Sequence, residues 1–193
     1  MKNKLNTFQN VRELPPWKAL AFGCALVERM LPNYQLFCDT TEFAKSDNMS
    51  NLLSILWTSV IDPKTKVNIP VQLENLNEIT PDPQQFDTYG VYPALDCAMA
   101  ITALFNLLSK EDEQGAVVVS KLSQGTVEAF IDMTNEQELQ SEAIKAHPLM
   151  AWEVATQQEI LTYLRTAKRS KDTVKTLQAM VKEEGISNIG IEI

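Results

Sequence analysis

The sequence predicts an all-α fold, a multi-helix bundle formed by one domain over residues 1–193. Apolar residues recur at intervals of three and four over most of the chain, which is the spacing of one face of a helix. Prolines and capping residues divide these stretches into segments of helix length. The chain contains 45% hydrophobic and 22% charged residues, as ordinary globular proteins do. A chain of 193 residues also buries enough surface to fold without disulfides or structural metals.

The first two helices are delimited by prolines. Residues 4–14 form a weak helical segment that ends before the Pro-Pro pair at 15 and 16, because the residue before a proline is disfavoured in the α conformation. From Trp17 a second helix presents one apolar stripe, and Pro32 is expected to end it. A short helical turn over residues 33–39 is expected to follow.

Two further helices precede the middle of the chain. Residues 52–61 carry a broad apolar stripe, with Ser46 or Asp47 as the capping residue. An Asp-Pro pair closes that segment. Asn68 is expected to cap the next helix, which has a proline in its first turn and ends before Pro81.

An apolar helix over about residues 94–108 is expected at the centre of the bundle. It follows a structured loop over residues 86–93 and is apolar on nearly every side. The stretch is close to membrane-spanning length, but Asp96 and Asn106 interrupt it, and an unpaired charge in hydrocarbon is costly. We therefore interpret it as a core helix. Residues 111–134 predict a further helix, although glycines and a valine run lower its propensity.

The carboxyl-terminal part predicts one long helix over about residues 148–184, opened by a proline and ended by a glycine. Between Leu164 and Val174 its apolar face rotates by roughly 120–180°. The helix therefore either kinks near Ser170 or exchanges one packing partner for another. The apolar tail at residues 186–193 is expected to dock on its own domain or across a subunit interface.

Charge and cysteine usage restrict the classes of partner and location. The formal net charge is −8, whereas proteins that bind nucleic acids or anionic membranes present basic faces. We therefore expect neither as a partner. The amino terminus lacks the apolar run of a secretory signal, and the three cysteines are too widely spaced for a disulfide framework or a metal knuckle. These features predict a cytoplasmic protein.

The sequence contains no recognisable catalytic motif, metal site or cofactor site. Its single histidine, His147, has no glutamate three positions before it and lies at a helix boundary, so we expect a surface residue rather than a metal ligand. Cys24 and Cys97 lie in apolar stripes, where free cysteine usually acts as a small buried hydrophobe. The glycines form no phosphate-binding turn. Enzyme activity is therefore not expected, and no cofactor is implied.

Asp96 is the most informative acid because it interrupts an apolar helix beside Tyr89 and Tyr92. The favoured interpretation places it in the first helical turn, where its carboxylate accepts free backbone N–H groups. The alternative is a polar pocket in which Glu28 and Arg29 of the second helix join these three residues. Otherwise this charged pair has the structural role of tying helices together.

Basic residues near the end of the chain, with isoleucines of the tail, form a candidate interaction surface. Its basic members are Arg165, Lys168, Arg169 and Lys171, and its apolar members are Ile189 and Ile191. Positive charge concentrated in an acidic protein favours an acidic partner or a phosphate. A solvated helix face is the simpler interpretation.

Two functional hypotheses follow. The leading one is a non-enzymatic interaction or regulatory domain that forms a homodimer or binds another protein, because the rotated apolar stripe leaves helix faces unused. The alternative is a small-ligand-binding domain or enzyme with a pocket around Tyr89, Tyr92 and Asp96.

Several stretches of the chain resemble one bacterial family. They are Glu28-Arg-Met-Leu-Pro-Asn-Tyr34 with Phe37-Cys38, Asp87-Thr-Tyr-Gly-Val-Tyr-Pro-Ala-Leu-Asp96, Val119-Ser-Lys121 and Ser187-Asn-Ile-Gly-Ile191. Over nearly its whole length the chain resembles the YjaG-like family, a domain of unknown function. The resemblance implies an all-helical cytoplasmic protein and supplies no catalytic or binding residue. Val27 departs from the pattern, in which a cysteine is expected before the Glu-Arg-Met block.

Overall fold

The computed structural model describes residues 6–135 and 139–192. Within these ranges the chain forms nine α-helices and no strand, which confirms the predicted all-α class. The helices are α1 (Thr7–Arg12), α2 (Pro16–Thr41), α3 (Asp47–Ile61), α4 (Ile69–Glu78), α5 (Val91–Ser109), α6 (Gly115–Thr134), α7 (Ser141–Ala146), α8 (Pro148–Thr166) and α9 (Lys171–Lys182). One turn of 3-10 helix, Pro83–Gln85, lies between α4 and α5.

α5 lies at the centre of the bundle, packed between α2 and α6. Small residues allow these helices to approach closely. A Cβ atom at Gly23 would lie within 3.0 Å of Leu104, and one at Gly115 within 3.0 Å of the Ala103 carbonyl oxygen. By length and composition α5 would suffice to span a membrane, with a mean hydropathy of 1.5, but 56% of that stretch is buried inside the structure. This burial is the environment of a core helix.

Pro32 does not end α2, so this sequence prediction was wrong. The helix continues through the proline to Thr41, and the separate turn expected over residues 33–39 belongs to it. A proline inside a helix costs about 3 kcal/mol or more, because it lacks an N–H donor and crowds the carbonyl four residues earlier. Burial of the Tyr34 and Phe37 side chains beyond the proline offsets this cost by about 1.5–3 kcal/mol for each large apolar side chain.

The long helix predicted over residues 148–184 is divided into α8 and α9. Ser170 caps α9 by accepting the backbone N–H of Thr173 at 3.1 Å. The preceding Arg169 donates to two carbonyl oxygens at the end of α3. A continuous helix would direct the apolar residues of its two halves to different sides, whereas the break lets α8 pack on α6 while α9 packs on α2 and α3.

The tail returns to the bundle after α9. Gly185 has a φ of +66°, a left-handed conformation that favours glycine and turns the chain at the end of a helix. The backbone N–H of Asn188 then donates to the Arg29 carbonyl oxygen of α2 at 3.1 Å. Residues 186–192 therefore contact their own domain, and Ile193 lies outside the described residues.

Candidate ligand-binding groove

A groove of about 590 Å³ opens between the start of α5 and α6. Tyr89, Tyr92 and Asp96 form one wall. The opposite wall consists of Val118, Lys121, Leu122, Gly125 and Ala129. The lining is mostly apolar, with a few polar groups, which is the usual composition of a small-molecule site. Three of the five residues proposed as a pocket from the sequence therefore share one groove.

Two tyrosine rings line this groove, and a phenylalanine ring lies beside one of them. Tyr89 precedes α5, whereas Tyr92 lies in its first turn, because the helix begins at Val91. The two tyrosine rings are 6.1 Å apart between centroids, and the Phe130 ring of α6 lies 6.3 Å from that of Tyr89. Tyr92 is 53% exposed. Ring faces in this arrangement can contact apolar groups and cations.

Asp96 does not cap α5, so the favoured interpretation from the sequence was wrong. The helix begins at Val91 and no acidic side chain lies in its first turn, which places Asp96 in the second turn. Its Oδ2 accepts the hydroxyl of Thr126 from α6 at 2.7 Å. Burial raises the pKa of the Asp96 carboxyl above its ordinary value, and the hydrogen bond from Thr126 opposes part of that shift.

Two polar groups in the groove, the Tyr89 hydroxyl and the Asp96 carboxylate, are not fully paired by the residues that the structure describes. Among residues 6–135 and 139–192, the buried hydroxyl oxygen of Tyr89 has no hydrogen-bond partner. Burial raises the pKa of Tyr89 to about 12, with a further contribution from the charge of Asp96. Tyr89 therefore keeps its proton at neutral pH. Asp96 makes no ion pair within the same described ranges, so its carboxylate has no cationic neighbour in contact.

Gly125 keeps the α6 wall of the groove open. Among the residues that the structure describes, a Cβ atom at this position would meet no atom within 4 Å. Glycine within a helix costs roughly 0.5–1 kcal/mol relative to alanine, and nothing in the packing of the described residues requires it here.

Lys121 also lines the groove, and its Nζ lies 5.8 Å from the centre of the Phe8 ring of α1.

Glu28 lies away from this groove, between α2, α3 and α9. Its carboxylate accepts hydrogen bonds from Trp57 Nε1 at 2.8 Å and from Gln178 Nε2 at 3.0 Å. It also pairs with Lys182 at 2.9 Å. A cleft of about 320 Å³ opens beside these groups. Glu28 thus ties three helices together, which is the structural role considered for it from the sequence.

Arg29 also lies outside the groove, in a buried ion pair with Glu153 of α8. The two side chains are 1% and 0% exposed, and the guanidinium lies 4.3 Å from the centre of the Trp152 ring. The second carboxylate oxygen of Glu153 accepts hydrogen bonds from Ser123 at 2.6 Å and from Gln157 at 2.7 Å. This network joins α2, α6 and α8, and it leaves neither charge accessible to a ligand.

The tail is part of the same buried network. The Asn188 side chain accepts a hydrogen bond from Asn33 at 2.9 Å and donates to the Ser123 hydroxyl at 3.3 Å. This network was not predicted from the sequence. A signal was present, because Glu153 and Gln157 are spaced by four residues within the buried stripe of α8. Polar residues in such a stripe predict mutual hydrogen bonds, since buried polar groups are nearly always paired.

The candidate interaction surface at the end of the chain is divided by the structure. Its exposed members are Arg165, Lys168 and Lys171. Arg169 is half-buried and caps α3 by donating to two carbonyl oxygens, each at 2.6 Å. Ile189 is 6% exposed, and both Ile189 and the half-buried Ile191 pack in a small apolar cluster between α6, α7 and α8. Neither Arg169 nor Ile189 presents its side chain to a partner.

His147 and the cysteines occupy structural positions. The Nδ1 atom of His147 accepts the backbone N–H of Leu149 at 3.2 Å and caps α8. Burial raises the pKa of the thiols of Cys24, Cys38 and Cys97, which disfavours the reactive thiolate. In the part of the chain that the structure describes, no group of three or more His, Cys, Asp or Glu side chains is placed to hold a metal ion.

Residues 6–192 match the family described as "Protein of unknown function (DUF416)". The chain belongs to the DUF416 family. This confirms the family resemblance carried by the sequence motifs, because relatives of the chain bear the name YjaG. The DUF416 description assigns no activity, so the groove has to be interpreted from its own chemistry.

Relatives of this DUF416 chain match it over nearly their whole length. The "Uncharacterized protein YjaG" of Escherichia coli is 38% identical over 184 residues, which cover 94% of this chain and 93% of the relative. An "Uncharacterized protein" of Haemophilus influenzae is 31% identical over 195 residues, which cover 100% of this chain and 98% of the relative. The crystal structure of a DUF416 family protein from Shewanella baltica matches with a TM-score of 0.90 and 38% identity, covering 98% of this chain and 100% of that chain.

Proposed function

We propose that this DUF416 protein is a non-enzymatic cytoplasmic interaction domain, and that it binds a small ligand in the groove between α5 and α6. The observation that carries the proposal is the open position at Gly125, opposite two tyrosines and an acid that makes no ion pair within residues 6–135 and 139–192. The groove combines apolar walls with a small number of polar groups, as ligand sites do.

Three features of the groove lower the stability of the empty protein. The buried hydroxyl of Tyr89 has no hydrogen-bond partner in the described residues, which costs about 1–3 kcal/mol for an unsatisfied buried group. Gly125 costs roughly 0.5–1 kcal/mol relative to alanine. Tyr92 exposes more than half of its surface to water. A ligand in the groove would cover the Tyr92 ring and hydrogen-bond to the Tyr89 hydroxyl, so binding relieves these two costs, whereas the cost of Gly125 is the same in the free and the bound protein.

A binding role without catalysis is supported by the positions of the reactive side chains. Nucleophilic catalysis needs a nucleophile beside a base, but His147 is occupied as a helix cap and the three cysteines are buried. None of these residues lines the groove. The cytoplasmic part of the proposal is supported by the free cysteines Cys24, Cys38 and Cys97, because thiols persist in reducing compartments.

The apolar helix faces and the apolar tail, which favoured a homodimer, pack against other helices of the same chain. The two directions of the apolar stripe are divided between α8 and α9, which pack on different helices. The tail contacts α2 and α6 through Asn188. We therefore assign the interaction to the groove rather than to an interface between two copies.

A thermal-shift screen with small aromatic and aliphatic metabolites tests this proposal. A ligand that binds only the native protein raises its melting temperature, with a stabilisation of about 2.7 kcal/mol when its concentration is 100 times Kd. Gly125→Phe fills the groove and is expected to abolish the shift. Gly125→Ala changes the same backbone position by one methyl group and is expected to retain it. A shift that survives Gly125→Phe would place binding elsewhere and contradict the proposal.

A further inference from the structure

We propose that the groove selects organic cations, specifically primary ammonium compounds with an aromatic or aliphatic body, which its carboxylate and tyrosines recognise together. This inference rests on the proposed function and specifies the class of ligand. The groups that carry it are Asp96, Tyr89 and Tyr92, which line one wall.

The charge of the groove favours a cation. Asp96 is half-buried, and Thr126 hydrogen-bonds to its Oδ2. The described residues provide no hydrogen bond to Oδ1 and no ion pair to the carboxylate. A carboxylate in partly apolar surroundings attracts a cation more strongly than one in bulk water does. The overall charge of −8 also favours the approach of cations over anions.

The tyrosines favour an ammonium group attached to an apolar body. A primary ammonium carries three N–H donors, two of which can be accepted by Asp96 Oδ1 and the Tyr89 hydroxyl oxygen. The ring of Tyr92 lies 6.1 Å from that of Tyr89 and is exposed for a cation–π contact with the same group. The apolar body of the ligand would lie along Val118 and Leu122 of α6.

Lys121 is the basic residue of the groove lining, and it does not neutralise Asp96. Its Nζ lies 5.8 Å from the Phe8 ring centroid, on the side of α6 that faces α1. It makes no ion pair with Asp96 in the described residues. A neutral ligand would desolvate the carboxylate without compensation, and an anion would be repelled by it. The cation is therefore the ligand class that satisfies the groove.

The experiment compares two probes that share one aromatic body. 2-Phenylethylammonium carries the charge, and 2-phenylethanol is its neutral counterpart. Titrations of the full chain, followed by NMR chemical shifts, are expected to show ammonium binding at least about tenfold tighter than alcohol binding, since a desolvated cation contact adds to the shared ring contacts. Asp96→Asn keeps the side-chain shape and is expected to bring the affinity ratio close to one. Asp132→Asn removes an exposed carboxylate elsewhere on α6 and is expected to leave the ratio unchanged.

The outcomes separate this inference from the proposed function. Equal affinities of the wild type for both probes, with both lost in Gly125→Phe, would overturn the ammonium preference while supporting a ligand site. A ratio unchanged by Asp96→Asn, or no binding of either probe at millimolar concentration, would also overturn the inference. If Asp96→Asn does not fold, Tyr89→Phe replaces it. This variant is expected to weaken ammonium binding several-fold, and unaltered ammonium binding would contradict the assignment of the hydroxyl.

Discussion

Gly115 and Gly125 lie on the same helix but are predicted to respond in opposite directions to substitution by alanine. Gly115 begins α6 and is buried against α5. A Cβ atom there would lie within 3.0 Å of the Ala103 carbonyl oxygen and 2.8 Å from the Leu107 Cβ, closer than real Cβ atoms approach. A backbone oxygen cannot rotate away as a side chain can, so α5 and α6 would have to separate. At Gly125 the added methyl group meets no neighbour.

The magnitudes follow from these surroundings. Overpacking costs about 1–3 kcal/mol, and a helix gains roughly 0.5–1 kcal/mol when alanine replaces an interior glycine. Gly115 is the first residue of α6, so the gain for an interior position does not apply, and we expect Gly115→Ala to lower the free energy of unfolding by about 1–3 kcal/mol. Gly125→Ala has only the favourable contribution and is expected to raise it by about 0.5–1 kcal/mol. For a domain of this size each 1 kcal/mol shifts Tm by about 2–4 °C.

Urea denaturation followed by circular dichroism measures both free energies of unfolding. The m value should be the same for both variants and the wild type, because the surface exposed on unfolding is unchanged. If Gly115→Ala is as stable as the wild type, α5 and α6 do not approach as closely as described. If Gly125→Ala is destabilised, the groove is not open at this position.

Three further predictions concern the buried network, the tail and the groove acid. Glu153→Ala leaves the Arg29 guanidinium buried without its carboxylate partner and is expected to lower the free energy of unfolding by about 3–5 kcal/mol. A loss below about 1 kcal/mol, measured by urea denaturation, would contradict the burial of this ion pair. A chain ending at Gly185 loses the Asn188 contacts and should melt at a lower temperature than the full chain. Light scattering should give the mass of one chain both before and after this truncation. A dimer that dissociates on truncation would contradict this and would place the tail at a subunit interface. Burial raises the pKa of the Asp96 carboxyl above its ordinary value of 3.8, so ionisation of this group opposes folding. Its contribution to the free energy of unfolding is therefore greatest below the pKa of the unfolded state and falls as the pH rises through the pKa of the folded state. Asp96→Asn should remove that part of the pH dependence in denaturation series, and an unchanged dependence would contradict it.

The helix boundaries that were predicted correctly are set by residues close to them in the sequence. Asn68 was predicted to cap α4, and its side chain accepts the backbone N–H of Val71. Capping, proline and glycine effects act within one turn and are therefore visible in a short window of sequence. Pro32 was one of the local predictions that failed. The helix-breaking effect of this proline is outweighed by the burial of the Tyr34 and Phe37 side chains in the core. That burial involves residues distant in sequence, so the residues next to the proline do not predict it.

The same distinction explains which groove residues were identified. Tyr92 and Asp96 are four residues apart on α5, so helical spacing brings them to one side of that helix. Tyr89 lies two residues before the helix and is therefore also close to them in sequence. Adjacent residues on a helix point about 100° apart. Glu28 and Arg29 therefore face different neighbours, so the two side chains do not enter one pocket together. Their partners depend on how α2 packs against α3, α8 and α9, which is long-range information.

The α6 wall was not predicted for the same reason. Gly125 was noted in the sequence only as a residue that lowers helix propensity. Its position opposite Asp96 arises because Gly115 allows α6 to pack closely along α5. A glycine in the interior of an otherwise regular helix is a signal for a close approach or an open site, and Gly125 of α6 is of the second kind.

A crystal structure of the protein grown with 2-phenylethylammonium tests most directly whether the α5–α6 groove is a ligand site. We predict density for the ring beside Tyr89 and Tyr92, with the nitrogen at about 3 Å from the Asp96 carboxylate. An empty groove at saturating probe concentration, or density confined to the cleft beside Glu28, would contradict this account of the molecule.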